Sequence, residues 1–180
     1  MDRYPLKSVL LIFTLLMLTL FLAGCPYESE VPLTTASEAS GDPALIGSWK
    51  FWDKDGRQVG TAVISAFNGQ ELLIDLYDEE SKTHALFRAF VSPVGKEKFL
   101  NMQEIKGSYD SRRWMLVNYR RSECTLTCRI VEERLFKSVR KELTTSSGLR
   151  TFVERNLGNK DLYDAGEPTI LTCMNREIRH

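Results

Sequence analysis

Residues 48–67 read SWKFWDKDGRQVGTAVISAF, and the fold class follows from this stretch. Apolar and polar side chains alternate in SWKFWD (48–53) and again in QVGTAVISAF (58–67), a period of two that predicts β-strands. Between them lies DKDG (53–56), in which Gly56 suits the positive φ of a tight turn. The stretch therefore predicts an antiparallel β-hairpin.

The same pattern continues along the chain, with turn residues at short intervals. Asn68-Gly69 is a strong hairpin signal, and Pro93 with Gly95 is expected to end the fourth strand. Further strands are predicted at 71–78, 83–91, 98–105, 113–121 and 125–132, and a last one at 168–177.

Helical spacing interrupts the strands before the last one. Apolar residues recur at helical intervals in EERLFKSVRKEL (132–143) and again in the segment that contains Leu149, Val153 and Leu157. Ser146 or Ser147 is expected to cap the second helix, and the Gly-Asn pair at 158–159 to stop it.

These elements predict a mainly β protein of the α+β class, with an antiparallel up-and-down meander of about eight strands and one or two helices before the last strand. Such a run must protect its edge strands, and pairing the last strand with the first does this best. We therefore expect a strongly curved sheet or a small closed barrel.

The Gly-Ser-Trp at residues 47–49, which opens the first strand, resembles the Gly-x-Trp that opens lipocalins. The resemblance implies that Trp49 plugs the closed end of a lipocalin-like barrel, beneath an arginine such as Arg176 or Arg179. The chain departs from the family because it lacks the Thr-Asp-Tyr motif and has its helix before the final strand. Its layout also resembles small lipocalin-like bacterial lipoproteins, a family without a settled activity.

The amino terminus has the features of a secretory signal peptide. Residues 1–7 carry Arg3 and Lys7, and the uncharged apolar stretch VLLIFTLLMLTLFL follows at 9–22. The alternative is a transmembrane helix, but the stretch is shorter than the ~20 residues that span a bilayer.

Residues 22–25, LAGC, resemble the bacterial lipobox. The resemblance implies cleavage between Gly24 and Cys25 and lipidation of Cys25, the first mature residue. Two or more acyl chains anchor a protein stably. Pro26 stands where an aspartate would retain the lipoprotein in the inner membrane, so the resemblance implies the outer membrane, facing the periplasm of a Gram-negative bacterium.

The chain divides into a signal peptide (1–24), the lipidated cysteine with a polar segment (25–44), and a β domain (45–180). Residues 26–44 are rich in Ser, Thr, Glu, Ala and Pro and show no periodicity, so they are predicted to form a flexible tether. Acidic and basic residues number 24 each, which gives no electrostatic footprint for nucleic acid.

Three cysteines remain, Cys124, Cys128 and Cys173, in a compartment that permits disulfides. Four residues along a strand span about 13 Å, too far for a bond between Cys124 and Cys128. Cys173 is therefore expected to pair with one of them, and Cys128 is favoured. The alternative is a metal site, for which Cys-x3-Cys on a strand has the wrong spacing.

The sequence offers no catalytic constellation, and neither an enzymatic activity nor a cofactor is expected. His84 could act as a general base, but an ordinary strand histidine is favoured because no partner is placed by spacing. Asp53-x-Asp55-Gly56 could bind calcium, but a hairpin turn explains it. The arginines at 112–113 and 120–121 could meet an anionic partner, although charge on strand edges also prevents aggregation.

Two functions from different classes stay open. The first is a binding module whose barrel holds an apolar or amphipathic small molecule in a cavity lined by Trp49, Leu73, Phe87, Leu100 and Leu116. The second is an interaction protein with a filled core that presents a surface, around Trp52 and Trp114, to an envelope protein. Further inward positions are predicted at Val63, Ile74, Leu86, Phe90, Met102, Leu126 and Ile130.

Overall fold

The computed structural model of the protein describes residues 26–53, 55–106 and 112–174. The predictions for the signal peptide, for Gly24 and Cys25, and for Arg176 and Arg179 lie outside these residues. The described strands are β1 Glu28–Ser29, β2 Gly47–Trp52, β3 Gln58–Ala66, β4 Leu72–Asp78, β5 Thr83–Val94, β6 Glu97–Glu104, β7 Trp114–Ser122, β8 Thr125–Ile130 and β9 Thr169–Cys173.

Strands β2 to β9 form a closed antiparallel barrel. Each strand pairs with its neighbours in sequence, and β9 pairs with both β8 and β2, which closes the ring. This confirms the predicted meander of eight strands and its closure. The two-residue strand β1 was not predicted, and it pairs with the start of β7.

The turn between β5 and β6 is tighter than predicted, because β5 runs through Pro93 to Val94. Gly95 follows with a φ of 58°, a left-handed conformation that favours glycine. Strand β4 begins at Leu72, opposite Ala89, so β5 has no β4 neighbour at Pro93. The N–H that Pro93 lacks therefore breaks no ladder bond to β4. The prediction that Pro93 ends the strand is therefore wrong.

The prediction of a flexible tether over residues 26–44 is also wrong for this structure. Tyr27 and Leu33 are buried against the outside of the barrel, and Ala39 packs with Phe90. Ser40 exchanges backbone hydrogen bonds with Val91 of β5, at 3.5 Å and 2.9 Å. A few well-placed apolar side chains fix a segment whose average composition is polar, so residues 26–44 pack as part of the described fold.

Among the described residues, one α-helix, α1 (Ser146–Arg155), lies before β9, in agreement with the predicted fold class. Its cap is Thr145, whose Oγ1 accepts a hydrogen bond from the Gly148 N–H at 3.2 Å, and neither predicted serine takes that role. The other predicted helix is replaced by two 3₁₀ turns, Glu133–Phe136 and Arg140–Glu142. Among the described residues, no helix is both long and apolar enough to cross a bilayer.

The described residues form one large apolar core inside the barrel and a second outside it, with a small separate cluster of Ala39, Phe90 and Trp114. The outer core packs the N-terminal segment, the 3₁₀ turn with Phe136, and α1 against the outer faces of β5, β6 and β7. Alternation along β7 shows the division, because Leu116 faces the outer core and Val117 faces the inner one. One wall of the barrel is thus covered, and the wall from β2 to the start of β5 carries no such layer of described residues.

Candidate functional site

One end of the barrel is tightly closed. Trp49 is 2% exposed, and its indole Nε1–H donates to the Leu45 carbonyl at 2.9 Å. The inward side chains Leu72 and Val91, which lie towards this end, are also buried. The position of Trp49 agrees with the lipocalin resemblance, in which this tryptophan plugs the closed end.

Asp42 secures this closed end. Its Oδ2 accepts hydrogen bonds from Lys98 Nζ at 2.9 Å and from the Tyr119 hydroxyl at 2.8 Å, and its Oδ1 accepts from the Ala44 N–H at 3.1 Å. Burial by itself would raise the pKa of Asp42, but these hydrogen bonds outweigh it and lower the pKa. Sequence reasoning assigned Asp42 to the tether, although Asp followed by Pro43 is a helix N-cap signal that could have identified it.

The other end of the barrel is open, and inward side chains become more exposed towards it. Phe51, Leu76, Met115 and Ile130 are only partly buried there. Below them lies a cavity of about 120 Å³. Its lining comprises Phe51, Ala62, Ile64, Ile74, Leu76, Leu100, Met102, Met115, Val117, Leu126, Cys128, Ile130, Thr169 and Leu171. All of these side chains except Thr169 are apolar or weakly polar.

A wider depression of about 430 Å³ forms the mouth of this cavity. The two spaces share Phe51, Leu76 and Thr169, so they adjoin each other at this end of the barrel. Polar side chains lie at this outer level of the two linings. They include Thr169, Thr83 and Asp78. The site therefore changes from apolar inside to polar at the rim.

The predicted cavity residues are only partly brought together. Leu100 lines the cavity, Phe87 packs against the inner core near the mouth, and Trp49 belongs to the closed end. The prediction that Leu73 and Leu116 face the cavity is wrong. Leu73 precedes Ile74, which faces inwards, so Leu73 lies on the opposite face of β4, and Leu116 faces the outer core. Alternation fixes which residues share a face, but the sequence did not show which face is inside.

The same uncertainty affects three of the other predicted inward positions. Val63 and Leu86 are exposed on the outer surface, at 46% and 38%, and Phe90 lies in a separate outer cluster with Trp114. The remaining predicted inward residues, Ile74, Met102, Leu126 and Ile130, do line the cavity.

The disulfide joins Cys124 and Cys173, so the favoured pairing of Cys128 with Cys173 is wrong. In the antiparallel register Thr125 faces Thr172, which brings Cys124 opposite Cys173 with Cα atoms 5.1 Å apart. Cys128 instead faces Thr169 and remains a free thiol in the cavity wall. Burial there raises the pKa of the Cys128 thiol to about 12, so it is a poor nucleophile.

The other candidate groups lie outside the cavity. His84 Nδ1 lies 2.9 Å from Asp75 Oδ1 on the open outer surface, where the His84 side chain is 63% exposed, and not in a cleft. Asp53 Oδ1 accepts the N–H groups of Asp55 and Arg57, as expected for a turn. Within the described residues, no group of three or more His, Cys, Asp and Glu side chains could hold a metal ion.

Two of the four arginines at the ends of β7 pair with carboxylates. Arg120 makes a two-point ion pair with Glu97, and Arg113 lies 3.6 Å from Glu30. The intervening Trp114 is buried, with the Arg88 guanidinium 5.1 Å from its ring centre. Trp114 therefore cannot belong to an exposed interaction surface.

Neither a protein-family model, nor a curated protein, nor a solved structure matches this chain. Function has to be argued from the cavity and its mouth.

Proposed function

We propose that this chain is a bacterial envelope lipoprotein, anchored through Cys25, that binds the apolar tail of an amphipathic small molecule without converting it. The observation that carries the binding proposal is the apolar cavity below a mouth with polar groups at its rim. A site of this form suits a ligand with an apolar end and a polar end. The lipobox resemblance of residues 22–25 supports the anchor.

The size of the cavity limits what it can hold. An apolar protein cavity of ~150 Å³ binds benzene, so a cavity of about 120 Å³ accepts the last few carbons of a chain. The rest of the tail and the polar head would lie in the mouth, near Thr83 and Thr169. The proposed ligand is therefore a single-chain amphiphile, with part of its tail inside the barrel.

The binding proposal is tested on the mature chain carrying Cys25→Ser, so that no acyl chain of its own is present. Isothermal titration calorimetry with 1-decanol, decanoate and decyltrimethylammonium compares neutral, anionic and cationic heads on the same tail. We expect saturable binding of at least one probe. Each methylene added from octanol to decanol should lower Kd by at most about fourfold, because a fully buried CH₂ contributes about 0.8 kcal/mol and the added groups lie partly in the mouth. No binding of any probe would refute the proposal.

Two neighbouring residues of β3 provide a matched pair of variants. Ala62 is 1% exposed and lines the cavity, whereas Val63 points outwards. Ala62→Phe should fill the cavity and weaken decyl binding at least tenfold, and Val63→Phe should leave it unchanged. If Ala62→Phe does not fold, Leu76→Trp at the mouth serves the same purpose. Equal binding by filled and unfilled variants would place the probe elsewhere.

The anchor is tested separately in cells. Cys25→Ser should abolish labelling of the protein by a radioactive fatty acid, and a variant that is still labelled would refute the assignment. The proposed outer-membrane location is tested by density fractionation of the envelope, which should place the wild-type protein with outer-membrane markers.

A second function, an envelope interaction protein, is favoured by one observation. Val63 and Leu86 flank Asp75 in the strand register and expose apolar surface on the uncovered wall of the barrel. Photo-crosslinking from position 63 in cells tests this function. A discrete crosslinked partner, together with no binding of the decyl probes, would favour it over the binding module.

A further inference from the structure

The described chain begins beside the mouth of the cavity. Pro26 forms a β-bridge with Glu132, two residues beyond Ile130, and Glu28 pairs with Met115. Ile130 and Met115 both line the cavity. On either path Pro26 is therefore two residues along a strand, ~7 Å, and one strand spacing, ~5 Å, from a residue of the cavity wall.

The N-terminal segment holds this starting point firmly. The Tyr27 N–H donates to the Val131 carbonyl at 2.9 Å, and the Tyr27 ring stacks on Phe136 with ring centres 3.8 Å apart. Further along, the Leu33 N–H donates to Asn101 Oδ1 at 2.7 Å in a buried bond. Pro26 cannot leave the barrel without breaking these contacts, so this segment has no slack between Pro26 and the cavity.

Cys25, the residue proposed to carry the acyl chains, directly precedes Pro26. One residue spans at most about 3.6 Å, so the lipid begins within that distance of the point where the chain joins the barrel. A long flexible tether would let the domain tumble away from the membrane, but a tether of one residue does not. The anchored bilayer must therefore lie against the end of the barrel that carries Pro26.

We infer that the lipid anchor holds the mouth of the barrel against the membrane surface, and that the amphipathic ligand enters the cavity from the bilayer. This inference rests on the proposed lipidation of Cys25 and deepens the proposed binding function. The turn at residues 67–70, at the far end of the seven-residue strand β4, then points away from the membrane, about 20–25 Å from the mouth.

The charged residues around the mouth are not sufficient to attach the barrel to a membrane. The exposed rim residues Asp55, Glu80 and Glu167 are acidic, and Lys82 and Lys106 are basic. A rim of mixed sign gives little attraction to an anionic bilayer, in contrast to a polybasic patch. Contact with the membrane should therefore depend on the acyl chains, and mature chain with Cys25→Ser should not bind vesicles at any content of anionic lipid.

The orientation is tested by hydrogen exchange on the full acylated protein, reconstituted in vesicles of phosphatidylethanolamine and phosphatidylglycerol. The reference is the mature Cys25→Ser chain in solution. We expect exchange to slow at least fivefold in the mouth loops 79–82 and 164–168 and to be unchanged in the turn 67–70. Equal protection at both ends, or protection confined to 67–70, would overturn the inference.

An insertion provides the matched control. Ten Gly/Ser residues between Cys25 and Pro26 should leave the protein acylated and bound to vesicles, but should remove the protection of the mouth loops. The same insertion after Gly69, at the opposite end, should leave that protection in place. Mouth protection that survives the first insertion would overturn the inference, because the short connection would then not set the orientation.

The outcomes separate this inference from the proposals on which it rests. Mass spectrometry of the N-terminal peptide reports acylation, and a Cys25 without acyl mass overturns the anchor and the orientation together. Decyl binding by the Cys25→Ser chain is measured without vesicles. Protected mouth loops without decyl binding would support the proposed orientation and refute the proposed ligand. Decyl binding without protection of the mouth loops would support the ligand and refute the orientation.

Discussion

Removing the Cys124–Cys173 disulfide should destabilise the barrel by about 4 kcal/mol. The bond closes a loop with a sequence separation of 49 residues, and the chain-entropy relation gives about 4 kcal/mol for a loop of that length at 25 °C. At 2–4 °C per kcal/mol for a domain of this size, the expected fall in Tm is about 8–16 °C. Urea unfolding of the mature Cys25→Ser chain, followed by tryptophan fluorescence, measures the difference from Cys124→Ser/Cys173→Ser in the same background.

Cys128 provides the control for this prediction. Cys128→Ala keeps both bonded cysteines, so reduction should destabilise this variant by the same amount as the unsubstituted chain. A double variant within 1 kcal/mol of its parent would refute the loop-closure reasoning. A Cys128→Ala variant that no longer responds to reductant would show instead that Cys128 is the partner of Cys173.

Three further predictions concern the closed end, the sheet and the cavity wall. Because folding lowers the pKa of Asp42, the ionised carboxylate stabilises the fold above its ordinary pKa of 3.8, and this stabilisation is lost as the pH falls through the lower folded pKa. In urea titrations, Asp42→Asn should therefore lose less stability than the parent between pH 4 and pH 2. Equal losses in the two proteins would contradict this. Gly60→Ala should lower the free energy of unfolding, measured by heat or urea, by about 1–3 kcal/mol, because the added Cβ would lie 2.5 Å from the Tyr77 carbonyl oxygen. The Cβ of Gly69→Ala would meet open space, so this variant should be as stable as the parent. Equal stability of the two variants would refute the steric argument. With a pKa of about 12, the Cys128 thiol should resist iodoacetamide at pH 8 in the folded protein and react after unfolding. Rapid labelling of the native protein would show that the thiol is not buried as described.

The barrel could be predicted from the sequence because its signals are local. Period-two alternation and the turn residues Gly56 and Asn68-Gly69 mark each strand without reference to the rest of the chain. Because a long antiparallel sheet must protect its edge strands, pairing of the last strand with the first could then be predicted. Which face of each strand points into the barrel was harder to predict, because alternation marks two faces without showing which one is inside. Leu73 and Ile74 are equally apolar, and only the register with neighbouring strands places Ile74 inside.

The N-terminal segment shows where composition misleads. Residues 26–44 are polar on average, yet Tyr27 and Leu33 occupy specific positions in the outer core, and Asp42 closes the barrel end. These contacts join parts of the chain that are 60 to 110 positions apart by sequence numbering, so no local pattern reports them. The disulfide was missed for the same reason, since its partner depends on the register of β8 against β9.

The most direct test of the binding account is a crystal structure of the mature Cys25→Ser chain with 10-bromo-1-decanol. Anomalous scattering locates the bromine, which marks the end of the apolar tail. The account predicts a bromine peak inside the barrel, beside Leu100 and Leu126, with the hydroxyl at the mouth near Thr83. A bromine on the outer wall near Val63, or an ordered protein with no bromine in the barrel, would contradict it.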